Sequence, residues 1–248
     1  MRPRSLIVTA TAAIAFAAGC GSSSTGSNGI ESKSGAQIVA AAVAATTHQN
    51  SFHFVETAGA GSSGVLVVGD VGSSTGEQHV TIHDGKKEGH LTLLLVDGTA
   101  YFEGDALGLE GFTGLSATLS SEFAGRWISV PSTNQGFSTI AGTLAVKTAA
   151  AQLVKLPGTL TRGRTSTQMG HATVAVKATQ RSSSGSLILT IYVATTGPAL
   201  PILVEGTTKA TGSSARSISA RFSDWDEALN VTAPSNAIPI ADLQALAG

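Results

Sequence analysis

The stretch His90–Gly104, HLTLLLVDGTAYFEG, decides the fold class. Two apolar runs flank Asp97-Gly98, the pair that a two-residue type I′ hairpin demands because both central positions need positive φ. Such a turn fixes the register. Leu95 then faces Ala100, and Leu93 faces Phe102. On the other side Leu94 faces Tyr101, and Thr92 faces Glu103. The Leu93, Leu95, Ala100, Phe102 side is wholly apolar and is the predicted inner face.

Strand signals extend upstream. SFHFVET (51–57) alternates Phe52 and Phe54 with Ser51 and His53. GVLVVGDV (64–71) is apolar on both faces, and EQHVTIHD (77–84) sets Val80 and Ile82 against His79, Thr81 and His83. A second block lies downstream. ATVAVKA (172–178) and SLILTIYVA (186–194) pair across Arg181–Gly185, which brings Leu189 and Ile191 to the inner face. LPILVEG (200–206) and SISARFSDW (217–225) continue the meander.

Helical signals fill the remainder. Ser34 is the expected N-cap of an alanine-rich helix ending near His48–Asn50. In the middle, residues 108–127 and 134–156 show helical spacing, with Leu115, Leu119 and Phe123 four apart. RWISVP (126–131) between them reads as a short strand or extended connector, and Pro157-Gly158 ends the second stretch. The tail, VTAPSNAIPIADLQAL (231–246), is Pro-punctuated and closes on a helical turn. Helix, strands, helices, strands is the order of an α+β fold, an antiparallel sheet with helices on one face.

The front end has a different character. Arg2 and Arg4 precede a run from Leu6 to Ala18 that is apolar or small apart from Thr9 and Thr11, the layout of a secretory signal. It is shorter than the roughly 20 residues a permanent span needs. Ala17-Ala18-Gly19-Cys20 resembles the bacterial lipobox, whose cysteine takes a diacylglyceryl group and becomes the mature N-terminus. The alternative is a cleaved signal with an incidental cysteine. GSSSTGSNG (21–29) reads as a tether. The expected organisation is a signal peptide over 1–19, a lipidated N-terminus and tether over 20–33, and one domain over 34–248. Cys20 is the sole cysteine, so that domain holds no disulfide.

A net charge of −1 and 12% charged residues point to no nucleic acid and no basic membrane patch. GAGSSG (59–64) matches G-x-G-x-x-G, but the strand-like VLVVGDV follows where a dinucleotide site needs a helix. A hairpin loop is expected there. His79 and His83 are four apart, which on a strand is about 13 Å and too far for one ion. No G-x-S-x-G elbow occurs. Asp224, Asp226 and Glu227 beside Trp225 read as a strand-ending turn rather than acid/base machinery. No enzyme, metal or cofactor is expected.

The lipobox, the tether, the opening helix, VDGTAYFEGD (96–105), GRWISVP (125–131), LPILVEG and FSDWDEALNVTAPSNAIPI (222–240) together resemble the actinobacterial LppX/LprAFG-type lipoproteins. The resemblance covers nearly the whole mature chain and carries no catalytic motif. It implies a LolA-like fold, a curved antiparallel half-barrel with helices on its concave face. It also implies an acylated lipid or lipoglycan ligand, a role in moving it through the envelope, and a place at the extracytoplasmic face of the cell membrane; a membrane transporter is a further expected partner. The expected cavity lining is Phe52, Phe54, Val80, Ile82, Leu93, Leu95, Ala100, Phe102, Leu189 and Ile191. The residues themselves leave two readings open: these side chains fill a core, or they line a dry pocket. A module that contacts a partner protein without lipid is the competing function.

Overall fold

The computed structural model describes residues 26–154, 156 and 158–247; the signal and lipidation expectations at 1–20 lie outside them. A 3-10 turn at Ile30–Ser32 leads to helix α1, Gly35–Thr47. Ser34 caps it as expected. Its Oγ accepts from Gln37 N–H, and Gln37 Oε1 accepts from Ser34 N–H, a reciprocal capping box.

Five strands follow as an antiparallel meander: β1 (Ser51–Ala60), β2 (Ser63–Gly72), β3 (Gly76–Asp84), β4 (Lys87–Val96) and β5 (Thr99–Gly104). The β4–β5 turn has φ of 48° at Asp97 and 75° at Gly98, and it pairs Leu95 with Ala100 and Leu93 with Phe102, as the sequence predicts. GAGSSG supplies the β1–β2 hairpin turn.

The middle is more broken than its periodicity suggests. Each long helical stretch is two short helices: α2 (Ala106–Thr113) and α3 (Ala117–Phe123), then α4 (Phe137–Thr143) and α5 (Val146–Val154). Gly114, at φ 69°, ends α2. Between the pairs, β6 (Ile128–Pro131) joins β5. Gly108 lets α2 lie on β4, since a Cβ there would stand 2.0 Å from the His90 carbonyl oxygen.

The second meander is β7 (Thr159–Gln168), β8 (His171–Ser182), β9 (Gly185–Ala194), β10 (Pro201–Ala210) and β11 (Arg216–Ser223). Strand β7 is the long element that the sequence reading missed, and the two-residue strand Ile238–Pro239 the short one. The residues of β7, TLTRGRTSTQ, are nearly all exposed, so no apolar alternation marks it. The tail adds β12 (Ile238–Pro239), parallel to β6, and α6 (Ile240–Ala247). Pairing of β1 with β11 joins the meanders into one open twelve-stranded sheet, ordered β12-β6-β5-β4-β3-β2-β1-β11-β10-β9-β8-β7.

Registers place all ten expected lining residues on one face. One cross-strand row runs Ile128, Phe102, Leu93, Gln78, Gly69, Phe54, Phe222. The next runs Leu91, Val80, Val67, Glu56, Ala220, Val204, Ile191, Val176. Helices cover this face in two groups. Leu109 of α2, Phe123 of α3, Ile140 of α4 and Leu243 of α6 pack with Leu93, Leu95, Ala100, Phe102 and Ile128. Ile38, Val39 and Ala42 of α1 pack with Val174, Val176, Ile191 and Val193. A small aromatic cluster, Phe52 and Phe54 with Val71 and Val146, lies on the central strands.

Candidate functional site

A cavity of about 410 Å³ lies over those central strands. Phe52, Phe54, Val71, Leu189, Ile191, Val204 and Phe222 line its sheet side. Thr46 at the end of α1, Thr143 of α4, Thr148 of α5 and Leu156 line its helical side. The two helix groups each build a solid core on their own part of the sheet, and the gap between them is the cavity.

Four of the ten expected residues, Phe52, Phe54, Leu189 and Ile191, reach this wall. The other six lie elsewhere on the face. Leu93, Leu95, Ala100 and Phe102 are buried in the core under α2, α3, α4 and α6, and Val80 packs against that core. Ile82 stands beside α2, its Cδ1 3.4 Å from where a Cβ on Gly111 would be. The apolar face is thus divided: β3–β6 carry a filled core, and β1, β9, β10 and β11, with Val71 of β2 and Gln78 of β3, border the cavity.

The aromatic wall is centred on Phe52. Its ring lies 5.0 Å from Trp225, 5.8 Å from Phe222 and 6.1 Å from Phe54, centroid to centroid. Trp225 is held by the turn after β11. There Asn50 N–H donates to Asp226 Oδ1, and Asp226 N–H donates to the Ser51 carbonyl. The expectation of a turn pinned by Trp225 is met, with Asp224 and Asp226 both at positive φ.

Polar groups stand among these apolar ones. Glu56 and Gln78 face the cavity from β1 and β3. Burial pushes the Glu56 carboxyl above its ordinary range. Among the described residues, Thr46 Oγ1, Gln78 Oε1 and Trp225 Nε1 are buried without a hydrogen-bond partner in the protein, and all three residues line this cavity. Sequence reasoning missed them, although a signal existed. Extending the alternation of Phe52 and Phe54 by two residues reaches Glu56, and extending Val80 backward by two reaches Gln78. Each is a polar residue in an apolar register.

The opposite face carries histidine–carboxylate pairs: His53 with Asp70 at 2.8 Å, His79 with Glu77 at 2.9 Å, and His83 and His90 with Glu88 at 3.3 and 3.2 Å. Among the described residues no group of three or more His, Cys, Asp or Glu is arranged to hold a metal. No helix among them is long and apolar enough to cross a membrane.

An open, almost wholly antiparallel sheet with helices on one face is an architecture found among solved structures. The crystal structure of LprF from Mycobacterium bovis matches this chain with a TM-score of 0.50 and 17% identity, over 86% of this chain and 100% of that one. The match agrees with the LppX/LprAFG-type resemblance and defines the fold. No family model and no curated protein matches the sequence.

Proposed function

We propose that this protein is a non-enzymatic lipoprotein of the cell envelope, anchored by acyl chains on Cys20 to the extracytoplasmic face of the cytoplasmic membrane. It binds an acylated lipid or lipoglycan in the cavity and hands it on, with a membrane transporter as partner. It uses no cofactor. The observation that carries this reading is the cavity itself, about 410 Å³ with Phe, Leu, Ile and Val as half of its lining residues. At roughly 30 Å³ per water-sized group, that volume takes about fourteen methylenes, one acyl chain. Burying them contributes about 11 kcal/mol gross, from which association and ordering costs subtract. The rival, a partner-docking module without lipid, calls for an exposed apolar patch. Among the described residues the exposed large hydrophobic side chain is Met169 alone, at 52%.

Mass spectrometry of organic extracts from protein purified out of its native host tests the lipid reading. Acyl lipid at near-stoichiometric amounts is expected, and protein free of lipid refutes it. Detergent-phase partitioning tests the anchor. Cys20→Ser is expected to leave the membrane fraction, because the acyl chains supply nearly all of the membrane affinity. Unchanged membrane association would mean that the apolar N-terminal run is retained.

A further inference from the structure

The cavity wall is apolar in area but not in kind. Thr46 and Gln78 are only 2% and 8% exposed, and each presents a side-chain oxygen with no partner among the described residues. Trp225 presents a buried indole N–H in the same condition. A buried polar group left unpaired costs about 1–3 kcal/mol, and three such groups on one cavity are a recognition pattern rather than packing noise. A plain hydrocarbon chain satisfies none of them.

Their chemistry restricts the ligand. Trp225 Nε1 only donates, so it needs an acceptor. Gln78 Oε1 only accepts, so it needs a donor. Thr46 takes either. A hydroxyl supplies donor and acceptor in one group. An ammonium supplies donors only and leaves Trp225 unpaired. An anionic head would sit beside the Glu56 carboxyl on a wall whose described residues include no Lys, Arg or His, where unscreened charge is costly. We infer that the cavity selects an uncharged, hydroxyl-bearing amphiphile with a single chain, of which a monoacylglycerol is the type, and holds its head among Thr46, Gln78 and Trp225. This inference rests on the lipid-binding reading above and narrows it.

The sequence has two tryptophans, so the full chain carrying Trp127→Phe retains Trp225 as its sole indole reporter. Four probes of one chain length are titrated by fluorescence and calorimetry: monomyristoylglycerol, myristoyl-lysophosphatidylglycerol, tetradecylammonium and tetradecane. Monomyristoylglycerol is expected to bind at least tenfold more tightly than the other three. Gln78→Leu and Thr46→Val should each weaken it by about threefold to tenfold and leave tetradecane unchanged. A charged probe or tetradecane that equals monomyristoylglycerol overturns the head-group selection while lipid binding stands. Monomyristoylglycerol binding that both variants leave untouched also overturns it. Binding by none of the four overturns the lipid-binding reading itself.

Discussion

Ala100→Trp separates the filled part of the inner face from the hollow part. Ala100 is 0% exposed and sits between Leu95 and Val130 in its cross-strand row. Strand β3, the nearest strand to contribute to the cavity wall through Gln78, is two strand spacings away, roughly 10 Å. The interval is occupied. Leu144 is fully buried and lies against Gly76, within 3.1 Å of where its Cβ would be. An indole at position 100 therefore has no void to enter and must displace Leu95 or Leu144. Overpacking commonly costs about 1–3 kcal/mol, and an added indole belongs at the top of that range or above it. With about 2–4 °C per kcal/mol for a domain of this size, the melting temperature should fall by about 6–12 °C or more. Val204→Trp is the control, because Val204 lines the cavity between Ile191 and Ala220. There the indole has room, and the melting temperature should stay within about 4 °C of wild type while co-purifying lipid falls. Circular dichroism melts and lipid extraction on the same preparations measure both. An Ala100→Trp protein that melts with wild type would refute the division of the face into core and pocket.

Gly98→Val should destabilise by more than about 1 kcal/mol, since φ is 75° there and a β-branched residue is strained at positive φ. A Cβ at Gly98 meets nothing within 4 Å, so the whole effect is backbone strain, and a melt unchanged from wild type would remove that account. Ser34→Ala should cost about 1 kcal/mol through loss of the capping box, read as a lower denaturant midpoint with the slope unchanged. Glu56→Gln tests the half-buried carboxyl through pH. Burial raises the folded-state pKa above the ordinary 4.5, so wild type has its full stability from this group below about 4.5 and loses it as pH rises through the raised value. The glutamine variant should gain on wild type between pH 4 and pH 7, and a constant difference in melting temperature across that range would contradict the assignment.

The hairpin register was legible because Asp97-Gly98 admits one turn geometry and a period of two does the rest. The capping box and the two meanders were legible for similarly local reasons. Strand β7 was not, because its pairing is set by the backbone of β8 and its own side chains face water. Neither was the division of the inner face. Phe54 and Phe102 occupy the same cross-strand row and look alike in sequence. Which one lines a cavity depends on where α1 to α6 land, and that is settled by tertiary packing. The helical stretches broke at Gly114 and near Leu144, where periodicity continued but the backbone did not. Glu56 and Gln78 carried the clearest site signal, as exceptions to an apolar alternation.

The polarity that hid β7 has a consequence for how these molecules meet one another. A sheet left unclosed offers two rims of unpaired backbone groups, a template for strand addition and fibre growth. Here one rim is β7, with Arg162 and Arg164 among Thr and Ser residues and an irregular register between Arg162 and Thr165. The other is β12, two residues long and ending in Pro239, which has no N–H to offer. Cations and a bulge blunt the first rim, and brevity and proline blunt the second. Twelve strands can thus stay open, with space for a guest above their middle, without the molecules polymerising edge to edge when crowded together.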